Sequence, residues 1–388
     1  MKIIRLIGLF CFGLLLCFGA NLQAQSHYKP DILGEPYESR TISLPDDYSG
    51  SVEATLVRHK LDRRFTRAVL YIHGYNDYFF QAELGDSIVK HRYNFYALDL
   101  RKYGRSLRAG QRAFECLDLK EYQAEISLAL EMMRQEGHSD IYLMAHSTGC
   151  LISALYLHDT KNKDGIRGLI LNSPFIDFNS TSFNERILLP LVTSVAWLVP
   201  NMVIIPPSSQ DDYDHYSSSL LQGKHGKWNY RTDWKMPQGY PIRTSWLRAI
   251  KRGHNRVQAG LDINVPILLM SSDASIRPRA GQWQERYGKA DLVLDVKDMW
   301  RYGSRLGREV HFAKIPNGIH DLFLSPDDFA RSMAYDTLFF WLRMQERRDI
   351  ANGRPVVERA IEDHSSTSVD SLAGKVDIKF PILYRNTK

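Results

Sequence analysis

The chain has 388 residues, 44% of them hydrophobic and 24% charged, with a formal net charge of +6. That apolar content supports a large core and excludes a disordered chain, and four cysteines are too few for a disulfide scaffold of this length. The basic residues are scattered through the predicted elements, which argues against nucleic acid as a partner.

Lys2 and Arg5 precede an uncharged run from Ile7 to Ala20, and small Ala24 is followed by polar Gln25 and Ser26. This is the pattern of an export signal over residues 1–24, and it predicts a secreted or periplasmic protein. The apolar run is shorter than the roughly 20 residues a membrane span needs. Lipid anchoring at Cys17 is disfavoured, because Leu16 stands where a small residue is required. Removing the signal takes Cys11 and Cys17 with it. Cys116 and Cys150 remain and are expected to be two buried thiols.

From there, short apolar or β-branched runs predict strands at Ser51–Val57, Arg67–Ile72, Tyr93–Leu98, Ile141–Ala145, Gly168–Leu171, Val265–Met270 and Val310–Ile315. Several are uninterrupted apolar runs, as strands buried on both faces of a parallel sheet require. Helical patterns cover Leu119–Gln135, Thr148–His158 and Ala330–Arg347. The alternation predicts an α/β fold with a mainly parallel sheet, in one domain over residues 25–348. Residues 179–262 break the rhythm with Pro190, Pro200, Pro206, Pro207 and many aromatics, and are read as an insertion packed over the sheet's edge. A polar extension over 349–388 is expected to hold one short strand, Val376–Leu383.

Four segments carry chemistry. Ala145-His146-Ser147-Thr148-Gly149 lies directly between a strand and a helix. A nucleophilic serine on such a sharp turn needs small residues two positions either side, here Ala145 and Gly149. His146 is expected to point away from the serine and pack locally. His73-Gly74-Tyr75-Asn76 ends an earlier strand, where a backbone N–H can face a developing oxyanion together with the N–H after the nucleophile; Tyr75 and Thr148 are those donors. Asp99 to Ser106 reads as a charged turn that braces the site without taking part in it. His320, in the turn Pro316–Asp321 after the last strand, can reach a serine on the same sheet edge and is the candidate general base. The orienting acid lies between the penultimate strand and that histidine, and Asp273, Asp291, Asp295 and Asp298 are all candidates.

The order serine, acid, histidine is that of the α/β-hydrolase fold. With His73-Gly74, Asp99 to Ser106, Ala145 to Gly149, Asn172-Ser173-Pro174-Phe175, Ala290 to Asp295 and Gly318 to Asp321, the chain resembles the serine aminopeptidase and monoacylglycerol-lipase-like group of α/β-hydrolases, many of them named lysophospholipases. The resemblance covers roughly residues 50–345. It departs at Ala145, where glycine is usual, and at Cys150, where a small residue is common. It implies an Asp-x-Leu/Val-x-Asp turn about 30 residues before the histidine, which selects Asp291 over Asp273 and Asp295, and it makes residues 179–262 a cap. The implied enzyme is a serine hydrolase of carboxylic esters on small or lipid-like substrates, with transient membrane-surface contact through the cap. The sequence has no Cys/His cluster at metal-ligand spacing, and no cofactor is expected. An aminopeptidase or amidase would use the same residues, and a binding module without activity is the remaining alternative.

Overall fold

The computed structural model describes residues 27–178, 193–194, 196–207, 214–279, 281–354 and 384–387. The expected export signal, parts of the cap and the predicted strand at Val376–Leu383 lie outside the described residues.

Strand and helix follow the sequence's apolar rhythm. The strands are β1 (Lys29–Pro30), β2 (Tyr37–Ser43), β3 (Glu53–His59), β4 (Arg67–Ile72), β5 (Asn94–Asp99), β6 (Asp140–His146), β7 (Ile166–Asn172), β8 (Val203–Ile205), β9 (Ile242–Arg243), β10 (Ile267–Ser272), β11 (Glu309–Ile315) and β12 (Tyr384–Thr387). Ten of them form one sheet in the order β1-β2-β3-β5-β4-β6-β7-β10-β11-β12, and β8 pairs with β9 separately. From β5 to β11 every pairing is parallel, and β1–β2, β2–β3, β3–β5 and β11–β12 are antiparallel. Every residue of β4, β5 and β10 is buried. Runs without alternation make that possible, because helices cover both faces.

The strands' period of two divides the core in two layers. On one face Val69, Tyr71, Met144 and Ile170 pack against α1 (Ala82–Lys90) and α7 (Asp328–Ala351). On the other, Leu70, Leu143, Leu169 and Leu269 meet α2 (Gln123–Gln135), α3 (Thr148–Asp159), α5 (Thr244–Ala259) and α6 (Val296–Gly303). This is the α/β-hydrolase architecture. Between β7 and β10 the inserted segment supplies β8, β9, α5 and the short helix α4 (His215–Leu220).

Some elements differ from expectation for local reasons. The helix expected over Leu119–Gln135 starts as a 3₁₀ turn, Leu119–Tyr122, whose entry is closed by a capping box of Asp118 and Glu121. Helix α5 was not expected, yet Trp246, Ile250, Gly253 and Val257 are buried at helical spacing; its arginines and lysines dilute the apolar signal. The chain's last described residues form β12 beside β11, just after the expected Val376–Leu383 strand. Cys116 and Cys150 are both buried, free thiols, as expected.

One close approach governs the site. A Cβ on Gly149 would stand 2.4 Å from the His73 carbonyl oxygen and 2.6 Å from that of Ile72. These are backbone atoms of β4's end, so they have no side-chain freedom to yield. Gly149→Ala is therefore expected to destabilise the chain by about 1–3 kcal/mol through overpacking. Urea unfolding measures this, and an unchanged midpoint would contradict the contact.

Candidate active site

Ser147 joins β6 to α3 with φ 53° and ψ −118°, a left-handed backbone that a β-carbon resists. Such strain costs on the order of 1–3 kcal/mol and persists only where its surroundings enforce it. The Ser147 N–H donates to Asn172 O at 3.0 Å, and its carbonyl accepts from Cys150 N–H and Phe175 N–H at 3.0 and 3.1 Å. Ala145 and Gly149 keep both neighbours small, and Ala145 is itself buried. The methyl group that departs from the usual glycine is absorbed in the core.

His320 follows β11, and its Nε2 accepts the Ser147 hydroxyl at 2.9 Å. Its Nδ1–H donates to Asp291 Oδ2 at 2.8 Å. The other Asp291 oxygen accepts the Val293 and Leu294 N–H groups, both at 2.8 Å. All three side chains are buried. Of the four acid candidates, Asp291 alone reaches the histidine. After β10 the chain loops out and returns, with Asp291 N–H donating to Ala274 O and Ile276 N–H to Asp291 O, both 2.9 Å. The acid distant in sequence thus stands beside the end of its strand. Asp273 is exposed and accepts Asn317 N–H at 3.2 Å, while Asp295 caps α6 through Lys297 N–H. Asp298 lies on α6 itself.

Asp321 anchors the histidine turn. It is buried and accepts Asn172 Nδ2–H at 2.8 Å, Gln81 Nε2–H at 2.6 Å and Phe323 N–H at 3.2 Å. The Asn172 of the Asn-Ser-Pro-Phe segment therefore acts at the end of β7.

The donors on the other side of the serine follow from one tautomer. His73 Nε2 accepts Leu100 N–H at 3.0 Å, so its proton is on Nδ1 and donates to Gly74 O at 2.8 Å. Burial lowers the His73 pKa and favours this neutral form. The Gly74–Tyr75 peptide is planar and trans, so fixing its carbonyl turns the Tyr75 N–H the opposite way. That N–H has no acceptor among the described residues. Thr148 is the first residue of α3, where a backbone N–H has no helical partner. Tyr75 and Thr148 both line the cavity that holds Ser147 and His320.

Asp99 to Ser106 braces this loop, as expected. Asp99 accepts Phe79 N–H at 2.9 Å and pairs with Arg105 at 2.8 Å, which also holds Asp31 at 2.7 Å.

The sequence did not single out the polar group behind Ser147, His320 and Asp291. His146 does not turn away: its ring lies 4.9 Å from that of His320 and lines the same cavity. Its Nδ1 is 3.6 Å from Asp77 and 3.9 Å from Asp321. Burial alone would lower its pKa, but Asp321 and Asp77 raise it above the usual histidine value. Asp77 in turn pairs with Lys235 of the inserted segment at 3.0 Å. Burial opposes its charge, yet Lys235 and His146 hold its carboxyl well below the usual range. Only the strand-end position of the His73-Gly74 turn hinted at Asp77.

The cavity is about 310 Å³, and its lining includes the apolar side chains of Phe175, Trp246, Leu247 and Ile242 and the polar ones of His146, Asp214 and Lys235. Among the described residues no cluster of His, Cys, Asp and Glu has the grouping to hold a metal ion.

The pattern of the serine aminopeptidase, S33 family matches residues 64–327, more than half of the chain. The chain belongs to that family. It is a serine hydrolase, and as an S33 member it shares its fold with several solved enzymes. A soluble variant of monoglyceride lipase from Saccharomyces cerevisiae, solved with a substrate analog, superposes with a TM-score of 0.54 at 14% identity, covering 84% of this chain and 97% of that one. A thermostable carboxyl esterase from Bacillus coagulans in complex with glycerol gives 0.52 at 13% identity, over 79% and 98%. A putative hydrolase from Agrobacterium vitis gives 0.52 at 14%, over 80% and 99%. At these identities the likeness shows the fold. No curated protein matches the chain by sequence.

Changing Asp291 to Asn would leave His320 in the wrong tautomer. Asp291→Asn is expected to lower kcat by about 10⁴, the scale seen when an orienting carboxylate becomes an amide. Asp273→Asn is expected to leave kcat unchanged. Steady-state kinetics on an activated ester check both, and the reverse pattern would move the role to Asp273.

Proposed function

We propose that this S33 member hydrolyses carboxylic esters, with Ser147 as nucleophile, His320 as general base and Asp291 as its orienting acid. The unbroken hydrogen-bond chain Ser147–His320–Asp291 at a cavity with apolar lining carries the reading. His320 Nε2 takes the hydroxyl proton as Ser147 Oγ attacks the ester carbonyl, and Asp291 steadies the imidazolium. The carbonyl oxygen, now negative, accepts the Tyr75 and Thr148 N–H groups. Collapse breaks the ester C–O bond, and His320 gives its proton to the departing alcohol. Water, deprotonated by His320, then attacks the acyl-enzyme, and the serine leaves with the proton.

An ester fits better than an aminoacyl amide because the acids at the cavity and behind it are already engaged. Asp77 is matched by Lys235 and His146. Asp214 accepts the Ser217 N–H and hydroxyl at 2.7 and 2.8 Å, and burial raises its pKa. A substrate α-ammonium would find no open carboxylate pair there among the described residues. Glu185, Asp211 and Asp212 of the cap lie outside those residues. The yeast neighbour is a monoglyceride lipase and the Bacillus one a carboxyl esterase, which accords with an acyl chain along the apolar lining.

Trp197, Leu198 and Val199 are 63%, 61% and 46% exposed, beside exposed Met202, Val203 and Ile205. This apolar patch, with Ile205 at the cavity, supports transient contact with a membrane surface. No described helix is long and apolar enough to cross a membrane. Residues 1–24 retain the proposed role of an export signal.

A substrate panel tests the choice. Short p-nitrophenyl esters and monoacylglycerols are expected to be cleaved at least about a hundredfold faster, in kcat/KM, than aminoacyl p-nitroanilides with a free amine, the size of discrimination an apolar pocket imposes on an added polar group. Comparable rates on the anilides would favour the aminopeptidase reading.

A further inference from the structure

We propose that the inserted cap sets the oxyanion donor: Asn76 and Asp77, gripped by Met236 and Lys235, are positioning residues for the Tyr75 N–H. The inference rests on the reading of Tyr75 as an oxyanion donor given above.

Three consecutive residues after Tyr75 each bond to one short stretch of the insertion. Asn76 makes a two-point pairing with a single residue: its Nδ2–H donates to Met236 O and its Oδ1 accepts Met236 N–H, both at 2.9 Å. Asp77 Oδ1 accepts the Lys235 ammonium at 3.0 Å. The Tyr78 hydroxyl accepts Arg231 N–H at 2.8 Å. Asn76 has φ 49°, a left-handed turn that asparagine tolerates better than most residues. The side chain that permits the turn is thus the one that carries the pairing.

These contacts are not surface embroidery. Asp77 is 1% exposed and Lys235 is 4% exposed. The ammonium sits 5.7–6.0 Å from the ring centres of Tyr216, Tyr230 and Phe80, in an aromatic enclosure that the insertion largely builds. Asp77 also faces His146 beside the serine, so one carboxylate touches the insertion, the oxyanion loop and the nucleophile turn. Parting a buried pair of this kind leaves an uncompensated charge, so the insertion is held down as long as the pair is dry.

The Gly74–Tyr75 peptide is therefore held from two sides. His73 fixes its carbonyl from the sheet, and Asn76 and Asp77 fix the next residues from the insertion. Releasing the second side leaves the peptide held by the His73 contact alone, so the plane rocks about that contact and the N–H loses its fixed aim at the oxyanion. Substrate binding at the apolar lining does not require that donor, whereas the tetrahedral intermediate does. Loss of the grip must appear in kcat and leave KM nearly alone.

Two variants of the full chain test this. Asn76→Gly keeps the left-handed backbone and removes the amide. Asp77→Asn with Lys235→Met removes both charges together, leaving neither buried and unpaired. Each is assayed for kcat and KM on p-nitrophenyl butyrate, for inhibition by an alkyl boronic acid that forms a tetrahedral adduct on the serine, and for its melting temperature. Expected are a fall in kcat of about tenfold to a hundredfold, somewhat below the loss of a whole oxyanion donor, a KM within about threefold, and a boronate Ki raised by the factor kcat loses. Folded variants with wild-type kcat and Ki, or with KM raised alone, overturn the inference. If one variant does not fold, the other decides. A wild-type enzyme insensitive to the boronate would instead overturn the reading of the oxyanion site itself.

Discussion

The site depends on how closely α3 approaches the end of β4. Gly149 lies under the His73 carbonyl with no room for a methyl group, and Gly74 leaves only 3.1 Å between its absent β-carbon and that of Ser147. Two glycines let two backbones nearly touch. Because they touch, the first residue of α3 and Tyr75 line the same cavity as Ser147. The strain at Ser147 follows from the same constraint: a strand entering the elbow and a helix leaving it can pass so near only if the residue between them adopts a positive φ.

The rest of the sheet gathers the candidate site around that contact. Parallel strands deliver their carboxyl ends to one edge, so His73, Ser147, Asn172, Asp291 and His320 converge there although they span most of the domain. Each is then fixed by a neighbour rather than by its own rotamer alone. Asn172 and Gln81 hold Asp321, whose turn presents His320. Two backbone N–H groups hold Asp291. The insertion between β7 and β10 closes the arrangement from above, and its Lys235 gives the deeply buried Asp77 the counter-charge that burial demands.

The fold and the meeting of Ser147 with His320 were legible because they obey local rules. Apolar runs in β4, β5 and β10 predict buried parallel strands, and Ala145 to Gly149 follows a strand and opens a helix. Asp291 was less legible: spacing along the chain favoured no one acid until the family resemblance was weighed, because the loop between β10 and Asp291 folds back on Ser275 and hides their nearness. Asp77, Lys235 and the placement of His146 were not legible. Lys235 is one cation among fifty, and it acquires meaning only when a segment more than 150 positions away in sequence docks onto Asp77. Helix α5 escaped because its buried stripe is built of Trp, Ile, Gly and Val among positive charges, a weaker signal than an aliphatic stripe.

The proposed chemistry requires Ser147 to be a hydroxyl made nucleophilic by His320 and flanked by two backbone donors. Reaction of the purified protein with a fluorophosphonate, followed by peptide mass analysis, tests it most directly. One adduct per chain is expected, on the peptide that carries Ser147, formed slowly or not at all once His320 is replaced. An unmodified Ser147 peptide, or an adduct on another residue, would contradict it.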